Sequence, residues 1–146
     1  MPKATEGTTV EARAAQRADS KETTLSLLRN KKRAQREIVF ELSDEDGKPV
    51  EVTLVFRAIG TQDYDRLLTK FPPTIEQKSE GSSYDINRFA PELMSKVCIE
   101  PEMSSKEWAE IWNSPDWNRG ETMDLFVAAV EICSRGLKAV PTSELD

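Results

Sequence analysis

The sequence predicts an α+β fold: an N-terminal β-hairpin packed against about four helices, behind a disordered basic N-terminal arm. Three observations carry that expectation. Two runs with a period of two flank a turn containing Asp46-Gly47. Four later segments space their apolar residues at i, i+3 and i+4, as one face of a helix requires. The first 36 residues show neither pattern and hold nine Lys or Arg against four Asp or Glu, a net of +5. The whole chain carries −6, so a basic arm precedes a body of −11.

Residues 1–36 read as that arm, disordered or transiently helical. Up to about residue 22 the chain is polar, with at most transient helix around Val10–Arg17. Thr23–Arg36 fits a helix, but its apolar side is only Leu25, Leu27 and Leu28, too narrow to dock firmly. A single α+β domain is expected over 37–138. Ile38, Phe40 and Leu42 alternate with Glu37, Val39 and Glu41 in the first strand. After the turn, Val50, Val52, Leu54 and Phe56 form the apolar side of the second, opposite Glu51, Thr53, Val55 and Arg57. A lone hairpin is marginal in water, so helices must cover this face.

The first covering helix starts at Thr61 and presents Tyr64, Leu67 and Leu68; Phe71-Pro72-Pro73 ends it. Residues 72–84 read as a polar, mobile loop. A helix resumes at Asp85 or Ile86 with the stripe Phe89, Leu93, Met94 and Val97, or nearer Ala90 with Pro91 in its first turn. It is expected to run to Pro101, and Cys98 falls within it. Ser104 and Glu107 have the spacing of a capping box and open a helix bearing Trp108, Ile111 and Trp112. The last helix spans about Asn118 to Arg135, with Met123, Phe126, Val127, Val130 and Cys133 inward and Gly136 closing it. Residues 139–146 read as a disordered tail.

Chemistry is sparse. With 38% apolar and 32% charged residues, the core should be modest. No histidine is present, which removes the commonest general acid–base group and the commonest metal ligand. Cys98 and Cys133 read as two buried thiols rather than a disulfide or metal pair. No glycine-rich phosphate loop or calcium-loop pattern occurs. The residues therefore argue against an enzyme, and no cofactor, catalytic residue or metal site is expected. No apolar run approaches the ~18 residues of a membrane span, and the N-terminus lacks a secretion-signal core. A cytosolic protein with no membrane partner is the expectation. Arg29–Arg36 holds five cations in eight residues and would meet phosphates without reading sequence. The acidic body argues against nucleic acid as the partner.

What remains is binding to another chain. Trp108, Trp112 and Trp117 lie within ten residues, and tryptophan is enriched where interfaces concentrate their energy. Trp108 and Trp112 read first as core, Trp117 as the most exposed. The candidate partner-binding residues are Tyr64, Leu67, Leu68, Trp108, Trp112, Trp117 and Phe126, and the groove between the helices flanking Pro101 is the expected client site.

Three segments add a family likeness. Phe56-Arg57-Ala58-Ile59-Gly60-Thr61-Gln62-Asp63-Tyr64 resembles the strand-to-helix passage of tail assembly chaperones from long-tailed, siphovirus-type actinobacterial phages. Asn87-Arg88-Phe89-Ala90-Pro91-Glu92-Leu93-Met94-Ser95-Lys96-Val97-Cys98-Ile99-Glu100-Pro101 is similar to their helix ending in a hydrophobic–Glu-Pro stop. Met103-Ser104-Ser105-Lys106-Glu107-Trp108 resembles their next capped helix. The likeness covers roughly residues 37–140. It implies a non-enzymatic chaperone that binds the tape measure protein and keeps it soluble while the tail tube assembles around it. A longer form made by ribosomal frameshifting and tail tube subunits are the other implied partners, and pairing with a second copy of the chain stays open. The implied location is the host cytoplasm, with the protein absent from the mature virion. Two other readings stay open: a structural head–tail connector or tail completion protein, and a basic-arm nucleic-acid-binding protein.

Overall fold

The computed structural model describes residues 20–138. The expectations for residues 1–19 and 139–146, including transient helix around Val10–Arg17 and a disordered tail, lie outside the described residues. Contacts divide the chain into two units, and the core lies in the one spanning Arg33–Gly136. The described part of the other holds helix α1, Lys21–Arg29. This helix starts and ends earlier than the expected Thr23–Arg36. The Ser20 hydroxyl accepts the Thr23 N–H at 3.1 Å, and the Asn30 amide donates to the Ser26 carbonyl at 2.8 Å. Serine fixes the start and asparagine closes the end. None of its residues is buried.

The second unit is α+β. Its sheet consists of β1 (Gln35–Ser43), β2 (Pro49–Arg57) and β3 (Cys98–Glu100), in that order and antiparallel. The hairpin register pairs Ile38 with Leu54, Phe40 with Val52 and Leu42 with Val50, so the alternating apolar residues share one face. Asp44 Oδ1 accepts the N–H groups of Asp46 and Lys48 at 2.8 and 2.9 Å, and Gly47 takes the positive φ of 80° that closes the turn. Only the base of the hairpin reaches the core: Leu54 and Phe56 are buried, Phe40 and Val52 half-buried, Leu42 and Val50 exposed.

Helices α2 (Thr61–Lys70), α3 (Ile75–Ser79), α4 (Ile86–Val97), α5 (Ser105–Trp112) and α6 (Arg119–Ser134) complete the unit. The segment expected as loop contains α3, opened by a capping box in which Thr74 and Gln77 exchange hydrogen bonds. Helix α4 begins at Ile86 behind Asp85, which accepts the Asn87 N–H, so Pro91 lies inside the helix and not in its first turn. The carbonyl of Asn87 that Pro91 leaves unbonded belongs to an exposed residue, where water can reach it.

Two further expectations are corrected. Helix α4 stops at Val97, and Cys98 is a strand residue: the chain turns straight into β3, whose Glu100 and Cys98 pair with Val55 and Phe56. Pro101 disfavours helix at Glu100, and the free edge of β2 offers extended backbone a ladder instead. Helix α6 is rotated from the expected face. Thr122, Leu125, Phe126, Ala129 and Ile132 are buried, Met123, Val130 and Cys133 half-buried, and Val127 is 56% exposed. Apolar residues surround this helix, so periodicity alone left its phase open.

One cluster joins β2, α2, α4, α5 and α6 through Phe56, Leu67, Phe89, Leu93, Met94, Val97, Trp108, Phe126 and Ile132. Trp108 is 2% exposed, and its Nε1–H has no hydrogen-bond partner. Its contribution is ring packing, opposed by an unpaired donor that costs about 1–3 kcal/mol. Trp108→Ala is therefore expected to destabilise by about 3–5 kcal/mol in urea unfolding. Trp108→Phe keeps most of the ring, removes the donor and should cost much less. In the same assay Leu125→Asp should unfold the protein and Val127→Asp should be tolerated; the reverse order would refute the observed face of α6.

Candidate functional site

The seven candidate binding residues fall into two groups. Leu67, Trp108 and Phe126 are interior and hold the fold together. Trp108 and Phe126 present almost no surface to a partner, contrary to expectation, and Leu67 shows only its edge in a cleft between α2 and α4. Tyr64, Leu68, Trp112 and Trp117 are half-buried and keep accessible surface. The groove expected between α4 and α5 is closed, because α5 packs on α4 and carries Trp108 into the shared core.

Aromatic rings link members of both groups. Tyr64 meets Phe89 edge-on at 5.7 Å between centroids, Phe89 meets Phe126 at 6.0 Å, and Phe126 meets Trp112 at 6.0 Å. Tyr84 joins from the α3–α4 connection, 5.0 Å from Phe89. Each such pair contributes roughly 0.5–1.5 kcal/mol beyond its buried area. Phe89 was legible as a core residue; Tyr84 was assigned to a loop and missed.

Two open clefts flank this row. The first, about 340 Å³, lies between α2 and α4 with Ile59 and Leu67 as apolar lining and Asp63, Arg66, Lys70, Glu92 and Lys96 as polar lining. Arg66 pairs with Asp63 at 2.9 Å and Lys70 with Glu92 at 3.5 Å, both on the surface. The second, about 210 Å³, lies where α4 and α6 begin and α5 ends. Trp112 and Trp117 line it together with Asn87, Asn113, Asn118 and Arg119. The Asn118 side chain accepts the Glu121 N–H at 2.9 Å and so starts α6 directly after Trp117. Asn-Ser-Pro-Asp had marked this stretch as a breaker, but no pattern in the sequence showed that it would gather amides around two indoles.

Comparison with protein-family models, with curated proteins and with solved structures finds no match to this chain.

Ionisable groups give the surface little reactivity. Burial pushes the Cys98 thiol up, opposed by a hydrogen bond with the Glu100 backbone. Burial likewise raises Cys133, opposed by the Ile59 backbone. Tyr64 is raised first by burial, then by Cys133, Tyr84 and Asp65. Both cysteines are free thiols, and raised values keep them protonated and weakly nucleophilic at neutral pH. Among the described residues no group of three or more Cys, Asp or Glu is placed to hold a metal ion. On the outside of α6, a hydrogen bond from Arg135 holds the Glu131 carboxyl below its ordinary value, aided by Arg36 of β1 at 3.3 Å. This ion pair is exposed and orients α6 on the sheet more than it stabilises it.

The raised groups set a sign for the pH dependence. A group whose folded pKa lies above its unfolded value contributes stability that is complete below the unfolded pKa and is lost as pH rises through the folded one. For the two thiols the loss begins near the ordinary ~8.5 and continues above it. Urea midpoints should fall between neutral and alkaline pH, and replacing both cysteines with serine should flatten part of that slope. A thiol reagent should modify half-buried Cys133 before Cys98.

Proposed function

We propose that this chain is a phage tail assembly chaperone. It is a non-enzymatic protein that binds the tape measure protein, keeps its hydrophobic helices soluble and assists assembly of the tail tube around it. The observation that carries this reading is the order of three segments that resemble that family: Phe56–Tyr64, Asn87–Pro101 and Met103–Trp108. Those segments are also the ones that build the fold. The first runs from β2 into α2, the second forms α4 and β3, and the third opens α5 through the Ser104–Glu107 capping box.

A chaperone of this kind needs accessible aromatic surface on a charged, soluble body. Half-buried Trp112 and Trp117 beside an open, amide-lined cleft supply the first. Aromatic rings with polar neighbours bind apolar helices at low entropic cost, since each ring has few rotamers to freeze. The body's net −11 supplies the second. In this reading the protein works in the host cytoplasm and leaves the particle before maturation. A longer frameshifted form and tail tube subunits are its further partners.

Co-expression with the tape measure protein of the same phage tests the proposal. The chain should raise the soluble yield of that protein and co-purify with it. A Trp117→Ala, Tyr64→Ala double variant that keeps the wild-type circular dichroism should lose most of the co-purified client. Unchanged recovery with the folded variant would remove these residues from the interface, and an insoluble client in every case would sink the chaperone reading. Stoichiometric presence of the chain in purified virions would favour the structural connector instead.

A further inference from the structure

We infer that β1 is a self-pairing edge, through which two copies of this chain join their sheets into one antiparallel six-stranded sheet centred on Phe40. The inference goes beyond the chaperone reading and holds whether or not that reading does.

Among the described residues β1 pairs only with β2, so its other edge is open along nine residues. Natural proteins blunt such edges with proline, charged side chains (lysine above all), bulges or short strands, and of these β1 has only the charges of Arg36, Glu37 and Glu41. Strand β1 has neither proline nor lysine, and its register with β2 is unbroken. The direction of its free groups follows from two hydrogen bonds. Ala58 N–H donates to the Ala34 carbonyl and Asp44 N–H to the Lys48 carbonyl, both at 2.9 Å. Antiparallel pairs alternate, so even-numbered residues of β1 bond β2. The N–H and C=O groups of Glu37, Val39 and Glu41 therefore point to the open edge.

Side chains select the occupant and the register. A two-fold axis normal to the sheet must pass midway between one residue of β1 and its own copy if the buried faces of both copies lie on the same side. Centred on Val39, it would set Glu37 against Glu41 twice, and centred on Glu41, it would set that glutamate against itself; like charges directly opposite are destabilising. Centred on Phe40, it pairs Phe40 with its own copy, Ile38 with Leu42, and Arg36 with Asp44. The charge complementarity extends past the ladder. The acidic tip Asp44-Glu45-Asp46 of each copy then lies alongside Arg33 and Arg36 of the other.

This arrangement also accounts for the apolar overhang. Leu42 and Val50 are 40% and 45% exposed on the same face that α6 covers at the hairpin base. In the joined sheet Leu42 lies beside Ile38 of the second copy, on the side where that copy's α6 packs, with Val50 one strand further out. The second copy thus covers Leu42, which the first leaves bare.

Sedimentation or light scattering of the full chain at high micromolar concentration tests this. The wild type should read about twice 16.5 kDa. Val39→Pro removes a donor aimed at the open edge without touching the β2 ladder, and should return the mass to 16.5 kDa with unchanged circular dichroism. Phe40 faces its own copy as a non-hydrogen-bonded pair, about 4.5 Å between Cα atoms. Phe40→Cys should therefore form an intermolecular disulfide on mild oxidation, and Val39→Cys should not. A monomeric wild type, or a dimer that survives Val39→Pro, overturns the inference. If the monomer's Glu37, Val39 and Glu41 amides are nonetheless protected from hydrogen exchange, another stretch of the same chain occupies the edge.

Discussion

The ring of Phe89 has no exposed surface and meets Tyr64 of α2, Tyr84 of the α3–α4 connection and Phe126 of α6, each edge-on. Three separate stretches of chain are thereby held against one side chain of α4. Helix α4 can serve as this axis because half of its twelve residues are buried, and because Asp85 secures its start. The buried Asp85 carboxylate accepts the Asn87 N–H and the Gln77 amide at 3.2 and 2.9 Å, and its own N–H donates to the Phe71 carbonyl. One residue, through its carboxylate and its backbone N–H, thus ties the end of α2, the short α3 and the start of α4 into a single corner. At the far end of α4, Val97 and Cys98 deliver the chain into the sheet beside Phe56. The aromatic hub sets where helices lie; the β3 pairing sets where the sheet lies against them.

The α+β class and the hairpin were legible because both rest on strong local signals. Strict alternation fixes the face of a strand, and a Gly at positive φ fixes the turn. The capping box of α5 and the stripe of α4 were legible for similar reasons. Elements without such signals escaped. Strand β3 is three residues long, too short for any period, and exists because β2 leaves an edge beside the end of α4. Helix α3 did carry a signal, since Thr74 and Gln77 have capping-box spacing, but polar neighbours and nearby prolines masked it. The phase of α6 was unreadable in principle from a helix with apolar residues on nearly every side.

The same contrast runs through the candidate binding residues. Large apolar residues at helical spacing mark a face without stating whether chain or partner covers it. Trp108 and Trp117 are both tryptophans near a helix end, yet one fills the core and the other lines a cleft. The difference lies in position: Trp108 is the fourth residue of α5 and faces α4, whereas Trp117 sits in the turn before the Asn118 cap. Trp112 lies between these cases, sharing its ring with Phe126 and with the cleft. A ligand at the cleft would press on a side chain that also packs α5 against α6, so occupancy of the cleft would be coupled to the packing of those helices.

The two edges of the sheet differ in a way that bears on assembly. Strand β1 offers nine residues, while β3 offers three, with the Ile99–Glu102 bridge curling the chain back on itself immediately after. An extended edge templates another strand; a three-residue edge scarcely can. Pairing through β1 about a two-fold axis would consume the long edge of both copies at once, leaving β3 and the Pro49–Leu54 stretch of β2 beside it on each outer side. A two-fold contact uses the same patch on both copies, so such pairing would close as a dimer and not continue as a fibre. That closure matters for a protein whose hairpin carries Val39, Leu42 and Val50 in contact with water. The short β3 covers β2 only at Val55 and Phe56, and Pro49 and the charge of Glu51 blunt the stretch of β2 that it leaves open.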